Sequence, residues 1–142
     1  MALPDPKPGL VINYGYLWRY EATSGQEEGR KDRPCVVILA VEDIEGEKIV
    51  TVAPVTHTPP TDSKSAVELP QITKKRLGLD DQRSWVVTTE VNRFTWPGTD
   101  LRPISRKKPN EFAFGFAPAD MIRAIRDQIR ERQSLQVTKR DT

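Results

Sequence analysis

The sequence predicts a small, mainly β protein of the α+β class with one helix near its C-terminal end. Residues 33–43 and 48–58 are near-continuous apolar runs rich in β-branched side chains, which is typical of buried strands. Aromatic and β-branched residues also dominate residues 10–18 and 84–98, and these predict further strands. Residues 118–132 place apolar side chains at helical spacing.

The first ordered element is expected to begin near Gly9. Residues 1–8 contain three prolines and few side chains that can pack, so they are expected to form a loose lead-in. Residues 10–18, LVINYGYLW, predict a strand with one face buried. Residues 21–32 are polar, contain two glycines and show no apolar period, which predicts a long exposed loop that ends at Arg33.

The two apolar runs are expected to pair as an antiparallel hairpin in the centre of the sheet. Gly46 lies in the turn between them and can adopt the positive φ that a tight turn requires. Residues 59–84 then form an inserted arm, in which SAVELP predicts a short strand and LPQITKKRLG predicts one or two helical turns ended by Gly78. Residues 84–98 are expected to return to the sheet and to stop at Pro97-Gly98.

The C-terminal helix has the clearest pattern. Pro118 can occupy its first position and Asp120 falls in its first turn. Apolar side chains share one face and arginines take the other; these are Met121, Ile122, Ile125 and Ile129, and Arg123, Arg126, Arg130 and Arg132. Beyond Gln133 the chain is expected to fray, so residues 134–142 are a predicted tail.

The composition indicates one domain over residues 1–142, with its folded part at about residues 8–133. Cys35 is the single cysteine, so an intrachain disulfide is excluded, and we expect neither a metal site nor a cofactor. The N-terminus does not resemble a secretion signal and the run CVVILAV is too short to cross a bilayer, which predicts a cytoplasmic protein without a membrane partner. Residues 102–142 carry 10 basic and 5 acidic groups, a net +5 that favours an anionic partner.

Three polar side chains lie where the hairpin strands begin and end. Arg33 opens the first apolar run, and the second run exits into Thr56 and His57. We expect these strand ends to share one polar site. An arginine, a hydroxyl and an imidazole suit a phosphodiester, because a guanidinium matches two phosphate oxygens and stays charged at any working pH.

Four segments together resemble the PemK/MazF family of toxins from bacterial type II toxin–antitoxin systems. In the family's order they are Pro8-Gly9 before the first strand, Arg33-Pro34, Pro54-Val55-Thr56, and a late strand ending at Trp96 before the helix that begins with Pro118. The resemblance implies an SH3-like small β-barrel of the CcdB/MazF type with a C-terminal helix. It also implies a homodimer, a cognate antitoxin, and metal-independent, sequence-specific cleavage of single-stranded RNA that inhibits growth.

Carried over residue by residue, the family's catalytic arginine falls on Arg33 and its catalytic hydroxyl on Thr56. A loop glutamate of some members falls on Glu28, with Glu27 as the second choice. The sequence departs from the family at His57, where many relatives have a second small hydroxyl residue. The loop after the first strand and the arm are also larger than in the shortest members, which leaves the cleavage sequence open.

Such cleavage uses the RNA's own 2′-hydroxyl as the nucleophile and needs a positive charge on the phosphorane oxygens. Arg33 would supply this charge and Thr56 a hydrogen bond to phosphate. Either His57 or Glu28 could transfer the proton, since an isolated imidazole titrates near neutrality and the loop could fold over the site. We further expect RNA contacts, including aromatic platforms at strand ends, from Tyr16, Trp18, Arg30, Lys31, Thr58, Asn92, Arg93, Phe94 and Trp96.

The same residues also have plain structural interpretations. Arg33 can be a surface charge, Thr56 a turn residue and His57 a solvated side chain. One functional alternative is a barrel that binds RNA or a protein without cutting. A gyrase inhibitor like the CcdB relatives is a special case of it. That mode depends on a bulky aromatic near the last residue, and this chain ends in VTKRDT.

Overall fold

The computed structural model describes residues 3–26, 29, 31–132 and 134–140. These residues form eight strands and three helices. In chain order they are β1 (Leu10–Tyr14), α1 (Arg19–Thr23), β2 (Arg33–Glu42), β3 (Lys48–Thr56), β4 (Ala66–Glu68), α2 (Gln71–Leu77), β5 (Trp85–Val87), β6 (Glu90–Thr95), β7 (Ala113–Phe116), α3 (Ala119–Glu131) and β8 (Gln136–Lys139).

The strands form one mostly antiparallel sheet in the order β4-β5-β3-β2-β1-β7, with β6 paired to β3 and β8 paired to β6. The predicted β2–β3 hairpin is confirmed, and Gly46 has the expected positive φ of 83°. Both strands are central, as predicted. The mainly β fold with a C-terminal helix is therefore confirmed. The strand pairings of the described residues leave the sheet open rather than closed into a full barrel.

Two apolar clusters form the core, and neighbouring residues of one strand belong to different clusters. Val36 packs with α3 and the arm, whereas Val37 packs with the aromatic residues of β1 and β6. The prediction that the first strand is half buried is wrong, because β1 is buried on both faces: Val11 packs in one apolar cluster and Ile12 in the other. It is also shorter than predicted and ends at Tyr14, since Leu17 binds the side chain of Asn92 instead of a neighbouring strand.

The predicted exposed loop after β1 contains a short helix. α1 is one turn long, and the side chain of its buried Glu21 accepts a hydrogen bond from the backbone N–H of Trp18 at 3.0 Å. This local cap satisfies a backbone donor at the helix start, which explains a helix in a segment without apolar periodicity. Glu27, Glu28 and Arg30 lie outside the described residues.

The arm follows the prediction closely. It contains the short strand β4 and the helix α2, and Gly78 ends α2 with a left-handed φ of 72°. The segment predicted as one returning strand is two, because β5 pairs with the end of β3 and β6 with its beginning. Between them, the buried Thr88 donates a hydrogen bond to Gln128 Oε1 of α3 at 2.7 Å.

The C-terminal region is more ordered than predicted. α3 begins one residue later than expected, with Pro118 as its N-cap, and it buries Met121, Ile122 and Ile125. The prediction of a frayed tail is wrong for residues 136–140, because β8 pairs in parallel with β6 and Arg140 is buried. β7 was not predicted from the sequence. Among the described residues, no helix is long and apolar enough to span a bilayer.

Candidate active site

A cleft of about 660 Å³ opens where β2 begins and β3 ends. Its walls come from the segment around α1, from these two strand ends and from the arm. The lining residues are Trp18, Tyr20, Lys31, Asp32, Arg33, Pro34, Val55, Thr56, His57, Thr58, Lys74, Leu79, Asp80 and Val87. The structure thus places the predicted Arg33, Thr56 and His57 in one cleft.

The pairing of β2 with β3 explains why these residues meet. The strands are antiparallel, so the first residue of β2 lies beside the last residue of β3. Cys35 is opposite Pro54, and the same register continued by two residues brings Arg33 beside Thr56. The two side chains are 23 positions apart in sequence, and the hairpin alone brings them together.

The guanidinium of Arg33 is held from two sides. Its Nη1 donates a hydrogen bond to the carbonyl oxygen of Val55 at 3.1 Å, and its central carbon lies 4.9 Å from the ring centroid of Trp18. Its Nε is buried and has no hydrogen-bond partner among the described residues. A buried donor without a partner costs about 1–3 kcal/mol.

Thr56 closes β3 and is partly buried. Its Oγ1 accepts a hydrogen bond from the backbone N–H of Thr58 at 3.2 Å. This contact shapes the turn after β3 and leaves the hydroxyl hydrogen of Thr56 available for a second partner. Thr58 and Lys31 are exposed and line the cleft, and their contacts with RNA stay predictions.

His57 contacts a residue of the arm. Its Nε2 lies 2.9 Å from Oδ2 of Asp80, and the two side chains are 50% and 47% exposed. Asp80 is in turn bound by Lys74, whose Nζ lies 2.6 Å from Oδ1. The hydrogen bond from Lys74 holds the pKa of Asp80 below its usual range, so Asp80 is a stable anion beside the imidazole.

Lys74 is almost completely buried, with 2% of its side chain exposed. Besides Asp80, its ammonium donates to the backbone carbonyl of Gln82 and to Ser84 Oγ, the latter at 2.7 Å. Three acceptors match the three N–H groups of an ammonium, which explains how a lysine is tolerated in this position. Lys74 therefore fixes the segment that carries Asp80.

Aromatic side chains form the wall of the cleft next to Arg33. Trp18 packs edge-on against Tyr16 with 5.0 Å between ring centroids. Tyr20, on α1, is 62% exposed and lines the cleft. A smaller cavity of about 170 Å³ adjoins it, and Trp18, Tyr20, Lys31 and Arg33 line both. The wall combines exposed aromatic surface with positive charge.

Two predicted RNA contacts lie in the interior instead. Tyr16 is buried and its hydroxyl donates to Glu90 Oε1 at 2.9 Å. Asn92 is also buried, and its amide makes hydrogen bonds with both backbone groups of Leu17 and accepts one from Arg140. Neither polar group is free to reach RNA. Both side chains instead hold the chain between β1 and α1 against β6.

The remaining predicted contacts lie away from the cleft or outside the described residues. Phe94 is buried against Tyr14, with 4.7 Å between ring centroids. Arg93 and Trp96 are partly buried on β6 and just after it, and neither lines the cleft. Glu28 and Arg30 belong to the residues that the structure does not describe, and their assignments stay predictions.

Among the cleft residues that sequence reasoning missed are Tyr20, Lys74 and Asp80. Tyr20 fell between the predicted strand and the predicted loop, and it lines the cleft as part of α1. Lys74 and Asp80 belong to the arm, where a lysine pair and an aspartate pair give no signal of a buried contact. Among the described residues, no cluster of three or more His, Cys, Asp and Glu side chains is arranged to hold a metal ion.

Comparison with known proteins agrees with this architecture. The family model described as PemK-like, MazF-like toxin of type II toxin-antitoxin system matches residues 16–97, more than half of the 142 residues. The matched region contains every residue that lines the cleft. The mostly antiparallel sheet with its C-terminal helix is consistent with the small, barrel-like fold of that family. A search of curated proteins gives no significant match.

Proposed function

Since the chain belongs to the PemK-like, MazF-like toxins of type II toxin–antitoxin systems, we propose that it is an endoribonuclease that cuts single-stranded RNA and thereby inhibits growth. The observation that supports this most is the meeting of Arg33 and Thr56 in one cleft. Membership of the family implies an antitoxin partner.

The proposed reaction is an internal transesterification. The 2′-oxygen of a ribose loses its proton to a base and bonds to the adjacent phosphorus, and the bond from phosphorus to the 5′-oxygen breaks. The products are a 2′,3′-cyclic phosphate and a 5′-hydroxyl, whose proton comes from an acid or from water. No metal takes part in this scheme, because Arg33 supplies the positive charge.

Arg33 is well prepared to stabilise the phosphorane. Nη1 of Arg33 donates a hydrogen bond to the carbonyl oxygen of Val55, and the ring of Trp18 packs against the guanidinium. The side chain therefore needs little reorganisation when negative charge develops on the phosphorane oxygens. Thr56 would donate its hydroxyl hydrogen to another phosphate oxygen and hold the in-line geometry.

The cleft also suits single-stranded rather than duplex RNA. Trp18 and the exposed Tyr20 offer faces on which unpaired bases can stack, and a base inside a duplex is not available for such stacking. Lys31 adds charge for the backbone. Asp32 also lines this wall. Its Oδ1 lies 3.6 Å from Nε of Arg102, so the positive charge of Arg102 offsets the negative charge of Asp32.

We propose in addition that the protein is a homodimer and that the antitoxin covers the cleft with an extended segment. Such a segment would place a carboxylate or a peptide strand against Arg33 and exclude RNA. Light scattering on the purified protein measures its mass in solution and so tests whether it is a homodimer. Loss of antitoxin binding in an Arg33 variant would support the proposal that the antitoxin covers the cleft.

The test is cleavage of a mixed RNA pool by the wild type and by R33A, with a chelator present and the new ends mapped. We expect R33A to cut at least about 10²-fold more slowly, because one preorganised charge is lost, and to lose growth arrest. Arg83 offers a matched control, since it also stacks on a tryptophan, Trp85, at 5.0 Å but lies outside the cleft. R83A should cut like the wild type.

The outcomes separate the two candidate functions. Unchanged cleavage by R33A would refute the role of this residue. A wild type that arrests growth or binds RNA but produces no new ends would refute the nuclease proposal and favour a barrel that acts by binding. Circular dichroism of R33A shows whether the fold is kept, which we expect because the contacts of the Arg33 guanidinium with other described residues are one hydrogen bond and one ring contact.

A further inference from the structure

The contact between His57 and Asp80 joins the end of β3 to the arm, directly inside the cleft. We propose that His57 is the proton-transfer group of this site and that Asp80, fixed by Lys74, is the positioning residue that orients it. This inference rests on the proposed function. It gives the arm, residues 59–84, a defined part in the chemistry.

The carboxylate of Asp80 has a fixed orientation because both its oxygens are engaged. Oδ1 accepts hydrogen bonds from Lys74 Nζ at 2.6 Å and from the backbone N–H of Gln82 at 3.1 Å. Oδ2 then faces Nε2 of His57 at 2.9 Å. A carboxylate held at one oxygen presents the other in a single direction, which is what an orienting group requires.

Lys74 supplies the rigidity of this arrangement. Its ammonium is buried and all three of its N–H groups have acceptors, in Asp80, Gln82 and Ser84. Moving Asp80 would leave the buried ammonium of Lys74 with an unsatisfied donor, so Lys74 holds Asp80 in place. The geometry at His57 is therefore determined by a buried anchor, although His57 and Asp80 are themselves about half exposed.

The contact with Asp80 determines which nitrogen of the His57 imidazole can accept a proton. An anionic carboxylate accepts the Nε2 hydrogen, which leaves Nδ1 as the second nitrogen. Nδ1 makes no hydrogen bond to any of the described residues. In the proposed step, neutral Nδ1 takes the 2′-hydroxyl proton while the 2′-oxygen bonds to phosphorus and the 5′-oxygen leaves with a proton from water. The imidazolium that forms is stabilised by Asp80 and afterwards returns its proton to solvent.

The experiment compares single-turnover RNA cleavage by the full-length wild type, H57Q, D80N, the double variant H57Q/D80N and R33A. We expect H57Q to be slower by about 10²-fold or more and D80N by about 10-fold or more. Because Asp80 acts through His57, the double variant should be no slower than H57Q. D81N, which changes the adjacent exposed aspartate, is the matched control and should keep the wild-type rate.

A second readout is the dependence of the rate on pH. Because the carboxylate of Asp80 contacts the imidazole of His57, we expect the pH profile of D80N to differ from that of the wild type and the profile of D81N to match it. The other charged side chains that line the cleft with it are Lys31, Asp32, Arg33 and Lys74. All four are unchanged in both variants.

Each outcome decides between the proposals. If the wild type does not cleave RNA, the proposed function fails and this role fails with it. If the wild type cleaves and R33A does not, but H57Q and D80N keep wild-type rates, only the role of the His57–Asp80 pair is refuted. The role is also refuted if the rate losses of H57Q and D80N add up in the double variant, or if D80N leaves the pH profile unchanged. Either result would show that the His57–Asp80 contact only ties the arm to β3. Should D80N fail to fold, restoration of H57A cleavage by added imidazole tests His57, and its absence refutes the role.

Discussion

Arg140 is expected to be a main anchor of the C-terminal segment, and R140M tests this. Its side chain and that of Asp100 are 3% and 7% exposed, and Nη2 of Arg140 lies 2.6 Å from Oδ2 of Asp100. Nη1 donates to the carbonyl oxygen of Gly15 and to Asn92 Oδ1, both at 3.0 Å. The arginine thus joins the end of β8 to the segment after β1 and to β6.

The expected cost of R140M follows from these contacts. Removing one partner of a buried ion pair typically costs about 3–5 kcal/mol, because the other charge stays buried. Asp100 keeps a second cation, since Arg102 Nη2 lies 3.5 Å from its Oδ1, so we expect the lower end, about 3 kcal/mol. Methionine fills much of the same volume and limits any cavity. For a chain of this length the melting temperature should fall by about 6–12 °C.

The assay is denaturant unfolding followed by circular dichroism, with K139M as the matched control. Lys139 is the neighbouring exposed residue of β8, so its loss should change the free energy of unfolding by no more than about 0.5 kcal/mol. R140M/D100N, which removes both charges, should be more stable than R140M. If R140M and K139M unfold alike, the buried pair is not the anchor and the reasoning is wrong.

Two further predictions concern the cleft and the core. Y20A should weaken binding of single-stranded RNA by about 1–3 kcal/mol, because a stacking face is lost, whereas Y20F should bind like the wild type. A filter-binding titration measures the affinity of both variants. If Y20A binds RNA as tightly as the wild type, Tyr20 is not a stacking face. Burial raises the pKa of the Cys35 thiol and leaves it inaccessible, so a chromogenic thiol reagent should react only as the protein unfolds. Rapid reaction of the native protein would show that β2 opens far more readily than its packing indicates.

The hairpin and the C-terminal helix were predictable because their signals are local. The apolar runs of β2 and β3 need no distant partner to be recognised, and Gly46 marks the turn between them. The convergence of Arg33 with Thr56 follows from the same hairpin, since antiparallel pairing places the start of one strand beside the end of the next. The family resemblance, confirmed by the match over residues 16–97, depends on these same segments.

The errors arose where pairing is non-local. β8 is a short strand whose only strand partner among the described residues is β6, more than 40 positions earlier, and nothing in its own sequence indicates this parallel pairing. β1 was judged half buried because its own sequence cannot show that an apolar cluster packs against each of its two faces. Asn92 looked available for RNA because a polar side chain in a strand is usually exposed, and here it binds the backbone of Leu17.

By itself, the sequence determined the mainly β architecture, the central hairpin and the side chains that this hairpin brings together, because these depend on residue periodicity and on contacts between neighbouring strands. Only the tertiary structure decided that Asp80 of the arm contacts both His57 and Lys74, that Tyr20 lines the same cleft as Arg33, and that Arg140 is buried against Asp100. Those contacts depend on how separate segments pack in three dimensions. A buried ion pair or a hydrogen bond between such segments leaves no periodic trace along the chain.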